Sequence, residues 1–169
     1  AFYEVDFDSG VAHVDDRLRD LCGIPDARSQ GIQALEVWTE QIHPGDRERV
    51  LDLRRQLHAG GLERVSLEYR IQHPSRGERW IHHVGRVARR DATGRTLQSF
   101  GVMRDITEAK QAEEALRESE ARFKAFMDHT PAFAYIKNAA LEHIYHNRVT
   151  QSALGGMPEQ PVSTREFLS

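Results

Sequence analysis

The sequence is poor in cysteine, with Cys22 the only one among 169 residues. An intramolecular disulfide is therefore impossible, and a zinc site made of several cysteines is excluded as well. A single thiol suits a reducing compartment, and we expect the chain to be cytoplasmic, whether or not its parent protein is anchored in a membrane. Close to the apolar residues Leu21 and Ile24, Cys22 is expected to be a small buried hydrophobe.

Long apolar runs and an excess of one charge are also missing. No apolar stretch approaches the roughly 20 residues that cross a bilayer, so we expect no membrane contact within this chain. Acidic and basic residues interleave, and the formal net charge is -3. Because nucleic-acid surfaces need clustered, uncompensated lysines and arginines, we expect no nucleic-acid partner.

Catalytic motifs form the third absence. The sequence has no phosphate-binding glycine-rich loop, no H-E-x-x-H and no G-x-S-x-G. We therefore expect no catalytic residues and no enzymatic activity in this chain. What remains is a composition of 39% hydrophobic and 29% charged residues, which is typical of a folded globular domain.

The first residues predict a β-hairpin. Phe2, Val5 and Phe7 carry apolar side chains at a strand-like spacing, and Ser9-Gly10 supplies a turn before Val11–Val14. We expect this hairpin to form part of a larger sheet.

Three further strands complete the predicted sheet. Apolar and polar residues alternate with a period of two from Val65 to Gln72, and the next strands follow at Trp80–Ala88 and Leu97–Met103. Between Asp15 and Gly61 the pattern changes to short helices and loops, including an amphipathic helix that begins near Pro44. The sequence thus predicts an α+β fold, with a five-stranded antiparallel sheet and short helices on one face.

A long helix is predicted directly after the last strand, over 107–130. Strong helix formers fill these positions, and no Gly or Pro occurs before Pro131. Asp105 and Glu108 have the spacing of a capping box at its start.

Apolar residues recur along this helix at spacings of three and four, which is typical of a coiled-coil seam. The seam consists of Ala109, Ala112, Leu116, Ser119, Phe123 and Phe126. A second seam, through Glu113, Leu116, Glu120, Phe123 and Met127, places glutamates at core positions. We expect the first seam to join two chains in a parallel homodimer, and the alternative is a helix packed against its own domain.

An internal repeat accompanies the helix. At an offset of 131, Ala1-Phe2 matches Ala132-Phe133, and Asp16-Arg17 matches Asn147-Arg148. We therefore interpret 1–106 as a first domain, 107–130 as a linking helix, and 131–169 as the N-terminal part of a truncated second domain.

Several segments resemble a PAS domain with its C-terminal PAC motif. They are Trp38–Arg47 (WTEQIHPGDR), Glu68–Arg70, Arg79–Ile81 and, most specifically, Gly101–Lys110 (GVMRDITEAK) with the helix that follows it. The resemblance covers essentially the whole chain. One departure is Gly45, where the family usually has an acidic residue.

The resemblance implies a regulatory sensor. PAS domains of this kind belong to bacterial histidine kinases and cyclic-di-GMP enzymes, dimerise, and pass a signal along their exit helix. We expect this chain to be the tandem PAS sensor region of a histidine kinase, covalently attached to an output domain; a diguanylate cyclase or phosphodiesterase is the alternative. Asp105, Ile106 and Thr107 are the expected signal junction.

The resemblance also implies a small-molecule pocket between the inner sheet face and the middle helices. The candidate lining residues are Phe7, Leu35, Trp38, Leu53, Leu57, Tyr69, Trp80 and Phe100. All of them are also ordinary core candidates.

No cofactor is expected to be obligatory, and we expect no metal. His58 stands where haem-binding PAS domains place an axial ligand, so a haem-based redox or gas sensor is one alternative, against a helix-terminal surface histidine.

Cys22 lacks the N-C-R-F-L-Q neighbours of the flavin-binding light sensors. A third alternative is a scaffold that dimerises without binding a ligand.

Overall fold

The computed structural model describes residues 1–26, 32–153 and 162–163, which fall into two compact units, 1–111 and 112–169. The strands are β1 Phe2–Asp6, β2 Val11–Val14, β3 Arg64–His73, β4 Gly77–Arg90, β5 Thr96–Asp105, β6 Tyr135–Lys137, β7 Glu142–His146 and β8 Val162–Ser163. The helices are α1 Asp16–Cys22, α2 Ile32–Gln41, α3 Pro44–His58, α4 Thr107–His129 and α5 Arg148–Ala153.

The first unit is built on one antiparallel sheet with the strand order β2-β1-β5-β4-β3. The predicted α+β fold is confirmed, with five strands and short helices, and α4 of 23 residues follows the sheet. Because β5 pairs with both β1 and β4, it lies at the centre of the sheet.

The inner face of the sheet carries the core. Strand β3 buries Val65, Leu67, Tyr69 and Ile71, and leaves the intervening residues more exposed. Helices α1, α2 and α3 contribute further buried residues, including Leu18, Val37 and Leu57 among others. A period of two with one buried face is what a half-covered antiparallel sheet requires.

Phe2 and Phe100, two aromatic residues of the predicted strands, lie on the outer face of the sheet. Phe2 is 41% exposed, whereas its neighbour Tyr3 is buried with Val5. On β5, Phe100 is 40% exposed while Ser99 and Met103 are buried. Successive side chains of a strand lie on opposite faces, so the inward positions are the odd ones in both strands.

Helix α3 is fixed to β3 at its start. His43 precedes the helix, and its Nδ1 accepts a hydrogen bond from the Gly45 amide at 3.1 Å. Asp46, in the first turn, accepts from the Arg70 amide at 3.0 Å and from Arg70 Nε at 2.9 Å. Burial raises the pKa of Asp46, but the hydrogen bonds from Arg70 outweigh it and hold that pKa below its usual range.

The predicted capping box at the start of α4 is replaced by a different arrangement. Asp105 accepts from the Thr107 amide at 2.8 Å, two residues on, rather than from Glu108. Ile106 is the last residue before the helix, and its carbonyl accepts from the Lys110 amide at 3.0 Å. Because Asp105 still belongs to β5, the strand passes into the helix through one residue.

The second unit contains a short hairpin, β6–β7, followed by α5. Asn147 directly precedes α5 and is fully buried. Its side chain accepts from the Thr150 amide at 3.1 Å and donates to the Met127 and Ala132 carbonyls at 3.0 and 2.8 Å. This one side chain therefore connects the end of α4, the hairpin and α5.

The internal geometry of the two hairpins repeats at an offset of 132, not 131. Tyr3 pairs with Val14 in β1–β2, and Tyr135 pairs with His146 in β6–β7. The Asp15 amide donates to the Phe2 carbonyl, as the Asn147 amide donates to the Ala134 carbonyl. Both Asp15 and Asn147 accept from an amide three residues on. The sequence match at 131 aligned Asp16 with Asn147 and was off by one residue.

At the same offset of 132, Leu21 and Gly23 correspond in the sequence to Ala153 and Gly155, and Gly155 lies outside the described residues. Within the described part of the chain, none of the helices combines the length and apolar character needed to cross a membrane.

Candidate functional site

A cavity lies between the inner face of the sheet and helices α1 to α3. Its volume is about 60 Å³, several times the ~10–15 Å³ that one water molecule needs. Most of the described lining residues are apolar; they are Val5, Phe7, Ala12, Val14, Leu18, Ile24, Ala34, Leu35, Val50, Leu53, Leu57, Val65 and Leu67. The remaining ones are Tyr3, Cys22, Trp38, Arg54, His83, Ser99 and Met103.

A chain of buried polar groups runs along the sheet side of this cavity. Trp38 Nε1 donates to the Tyr69 hydroxyl at 2.9 Å, and that hydroxyl lies 3.3 Å from His83 Nδ1. His83 Nε2 lies 2.8 Å from the Tyr3 hydroxyl. Tyr69 is also 3.7 Å from the sulfur of Met103. Each of these groups is buried, so their hydrogen bonds to one another replace those with water.

His83 is neutral in this environment. Burial lowers its pKa from 6.5 to about 4, with a smaller contribution from His82. A neutral imidazole has one N–H donor and one acceptor nitrogen. The chain therefore has two proton arrangements, since Tyr69 either donates to His83, which then donates to Tyr3, or donates to Met103 while Tyr3 donates to His83.

The Tyr3 ring occupies space left by two glycines. Gly85 and Gly101 are opposite each other in the β4–β5 ladder. A Cβ added to either residue would lie 2.7 Å from the Tyr3 hydroxyl, closer than packed atoms tolerate. Both positions are therefore restricted to glycine as long as Tyr3 reaches His83.

Arg54 is the only charged side chain among the described lining residues. Its guanidinium lies over the Trp38 ring, 5.8 Å from the ring centroid. It also acts on the Tyr3 hydroxyl, where it opposes the larger effect of burial, which raises the Tyr3 pKa well above its usual value.

The structure brings five of the eight predicted pocket residues to the cavity, namely Phe7, Leu35, Trp38, Leu53 and Leu57. Tyr69 is fully buried directly beneath it and bonds to Trp38.

Trp80 and Phe100 do not line this cavity, because both lie on the outer face of the sheet. Trp80 pairs with Arg70 in the β3–β4 ladder, where β3 turns its even-numbered residues outward. Phe100 is outward because Ser99 and Gly101 occupy the inner positions of β5.

His58 is not among the described cavity-lining residues. Its ring stacks on Phe7 with centroids 4.4 Å apart, and its Nε2 lies 3.5 Å from the Arg95 guanidinium. Burial, followed by the nearby Arg95 and Arg54 charges, lowers the pKa of His58. An iron ligand at this position would have to leave the Phe7 stack.

Cys22 is 1% exposed and lines the cavity, which confirms the expected buried hydrophobe. Burial raises the pKa of its thiol to about 12, so the reactive thiolate is not populated near neutral pH. Among the described residues, no group of three or more His, Cys, Asp or Glu side chains is placed to hold a metal ion.

On the outer face, Trp80 anchors the start of α4. Its amide donates to Thr107 Oγ1 at 2.9 Å, and its carbonyl accepts from the Ile106 amide at 2.9 Å. Above the ring, the Lys110 ammonium and the Arg70 guanidinium each lie 5.5 Å from the centroid. Cation–π contacts of this kind stabilise by about 0.5–1 kcal/mol at exposed sites.

Comparison with known proteins identifies the fold family. The family model described as the PAS fold matches residues 11–103, which is more than half of the chain. This chain belongs to the PAS fold family. The match spans every strand that lines the cavity except β1.

The PAS relatives are signalling proteins. The chain is 31% identical over 140 residues to the two-component sensor PprA of Pseudomonas aeruginosa, and this match covers 83% of the chain but 14% of that protein. Among solved structures it resembles a sensory box histidine kinase/response regulator of Burkholderia thailandensis, with a TM-score of 0.58, 25% identity, and 73% and 89% of the two chains covered.

The N-terminal domain of a diguanylate cyclase with a PAS/PAC sensor, from Marinobacter aquaeolei, has the same fold. Its TM-score is 0.53 at 23% identity, with 64% of this chain and 96% of that chain covered. The PAS domain is thus a sensor module that occurs in sensor kinases and in diguanylate cyclases alike.

Sequence reasoning missed Tyr3, Arg54, Ser99 and Met103 as cavity residues. The strand period places the adjacent His82 and His83 on opposite faces of the sheet but does not indicate which of them lies inside. The spacing of Tyr3, Val5 and Phe7 was a usable signal, because it has the strand period of two. For Arg54 the sequence carries no such signal, since arginines on helices are usually solvated.

Proposed function

We propose that residues 1–111 sense a small molecule in the cavity and transmit its binding through the β5–α4 junction to an output domain outside this chain. The observation that carries the proposal is the double role of β5. Ser99 and Met103 of this strand line the cavity, and the same strand ends at Asp105, one residue before α4. A change at the cavity wall therefore has a short and rigid route to the helix.

The junction is coupled to β4 and β3 as well as to β5. The Trp80 amide donates to Thr107 Oγ1, and the Trp80 carbonyl accepts from the Ile106 amide. Lys110 forms an ion pair with Glu68 on β3 at 2.8 Å. Thr107 is 4% exposed. A helix held at this many points follows a displacement of the sheet, whereas a flexible linker would absorb it.

Dimerisation through α4 is part of the proposal. All six seam residues, Ala109, Ala112, Leu116, Ser119, Phe123 and Phe126, are exposed in the single chain, and Leu116 and Phe126 are 61% and 70% exposed. Phe123 contacts Tyr145, with ring centroids 5.6 Å apart, and remains 43% exposed. Pairing with a second copy of the chain in parallel would cover this stripe.

We further propose that residues 131–169 begin a second PAS domain. The hairpin geometry repeated at an offset of 132 supports this interpretation, and so does the common capping role of Asp15 and Asn147. A histidine kinase is our first choice of output, as in the Burkholderia structure, and the Pseudomonas relative is a two-component sensor. A diguanylate cyclase is the second choice, as in Marinobacter. The cytoplasmic location belongs to the same proposal.

The test is the substitution Asp105→Ala in the parent protein with its own output domain. It removes the acceptor of the Thr107 amide, and losing such a helix-start contact costs about 0.5–2 kcal/mol. We expect regulation of the output activity to be lost while the fold, followed by circular dichroism, is retained. Output that stays fully regulated would show that the junction does not carry the signal.

A further inference from the structure

Among the described residues that line the cavity there is one cation, Arg54, and no anion. None of the described lining residues is Asp or Glu, and residues 27–31, with the sequence ARSQG, contain no acid either. Within the described residues, Arg54 makes no hydrogen bond or ion pair; its guanidinium lies over the face of Trp38 and close enough to Tyr3 to act on the pKa of that hydroxyl. Its neighbour Arg55, in contrast, is exposed and paired with Asp52 at 3.2 Å.

A half-buried cation without a counter-charge is unfavourable, because burial removes part of its hydration. Burial lowers the pKa of the Arg54 guanidinium, against a smaller opposing effect of Tyr3. An anion bound beside Arg54 would relieve this cost. The planar guanidinium presents paired N–H donors that match the two oxygens of a carboxylate.

The Tyr3 hydroxyl offers a further donor. When His83 donates its Nε2–H to Tyr3 across 2.8 Å, the Tyr3 O–H is free to donate into the cavity. An anion would select this arrangement of the chain, in which Tyr69 donates to His83 rather than to Met103. Beyond these donors and the Ser99 hydroxyl, most of the wall consists of apolar side chains such as Val5, Leu35 and Leu53.

We propose that the ligand of this cavity is a small apolar monocarboxylate, whose carboxylate binds Arg54 and Tyr3 and whose body lies against the apolar walls. The inference rests on the proposed sensor function and specifies its ligand. Because the cavity is partly open to solvent, the apolar body of a short aliphatic or a single-ring acid can extend beyond the enclosed volume of about 60 Å³. A porphyrin is much larger than such acids.

The test is isothermal titration calorimetry of the intact chain with benzoate and hexanoate, each compared with its neutral amide. A charge-assisted hydrogen bond contributes enough for a difference of about tenfold or more in affinity. We expect each acid to bind at least about tenfold more tightly than its amide, and acetate, which lacks the apolar body, to bind weakly.

Three variants locate the anion. Arg54→Gln should lower the affinity for the acids to that of the amides, and Arg54→Lys should retain part of the preference. Arg55→Gln removes the same charge from the next residue of α3 and should leave the affinity unchanged. Tyr3→Phe should weaken the acids without affecting the amides. Thermal unfolding of each variant without ligand verifies that it is folded.

The proposal is overturned if the amides bind as tightly as the acids, if no acid binds, or if Arg54→Gln and Arg55→Gln behave alike. These results leave the sensor function untouched, because that function is tested by the Asp105→Ala variant and its output. Conversely, tight Arg54-dependent binding of benzoate together with normal regulation in Asp105→Ala would support the ligand and refute the route.

Discussion

The buried polar chain depends on one group, the Tyr69 hydroxyl. It accepts from Trp38 and bonds to His83. Tyr69→Phe would leave two buried groups without a partner, and each such loss costs about 1–3 kcal/mol. We expect the free energy of unfolding, measured with urea, to fall by at least about 1 kcal/mol. Tyr135→Phe, at a ring that is 53% exposed, is the matched control and should change it by less than about 0.5 kcal/mol.

His83 makes stability depend on pH. Its pKa is about 4 when folded and near 6.5 when unfolded, so the unfolded chain binds more protons between these values and stability falls as the pH drops through this window. The contribution of neutral His83 to the free energy of unfolding is present above pH 6.5 and amounts to about 3 kcal/mol. Between pH 7 and pH 5 we expect His83 to account for a loss of about 2 kcal/mol.

The measurement compares urea unfolding at the two pH values for the native chain and for His83→Gln. His58, His143 and His146 also have pKa values lowered by burial and act in the same direction, so only the difference between the two proteins reports on His83. His13→Gln, at an exposed histidine, is the control for the substitution itself. An unchanged dependence in His83→Gln would mean that this side chain is charged or hydrated when folded.

Composition and spacing were enough to predict that Cys22 would be buried. They were not enough to orient β5. Its sequence places Phe100 and Val102 next to Ser99 and Gly101, and hydrophobicity alone points the larger pair inward. The tertiary contact of Tyr3 with Gly101 decides the opposite orientation, and no local pattern encodes that contact.

At the scale of elements, the β4–β5 ladder is shaped by its paired glycines. A Cβ at Gly101 would meet the Val84 carbonyl oxygen and would lie 2.7 Å from the Tyr3 ring. We expect Gly101→Ala to lower the free energy of unfolding by about 1–3 kcal/mol, the usual cost of overpacking. Gly61→Ala is the control, because its added Cβ meets its nearest neighbour at 3.5 Å. Equal stability of the two variants would contradict this packing.

Helix α4 carries the proposed dimer seam. Leu116→Arg introduces a charge at the centre of the seam, and Ala121→Arg introduces the same charge on the opposite side of the helix. We expect light scattering with size-exclusion chromatography to find a monomer for Leu116→Arg and a dimer for Ala121→Arg. A native chain that is monomeric, or a dimer that tolerates both changes, would remove the seam from the mechanism.

The start of α4 illustrates why element boundaries are harder to predict than elements. The spacing of Asp105 and Glu108 fits a capping box, yet Asp105 accepts from Thr107 instead. The difference arises because Trp80 on β4 binds both Ile106 and Thr107. This long-range anchor fixes where the strand ends and the helix begins, and sequence spacing does not contain it.

At the scale of the whole molecule, a sensor unit is joined without a flexible linker to the helix that leaves it. The sheet, the cavity wall and the junction share β5, and β5 lies at the centre of the sheet. We therefore expect occupancy of the cavity to alter the arrangement of paired α4 helices, and this is the central claim.

The most direct test of this claim is the distance between spin labels on the α4 helices of two chains, measured by double electron–electron resonance. Lys124→Cys places one spin label on the exposed surface of α4, and Cys22, at 1% exposure, is protected from the reagent. We expect a defined distance between the labels of the two chains, a shift of that distance when benzoate is added, and no shift in Asp105→Ala. An unchanged distance distribution while calorimetry shows benzoate to be bound would contradict it.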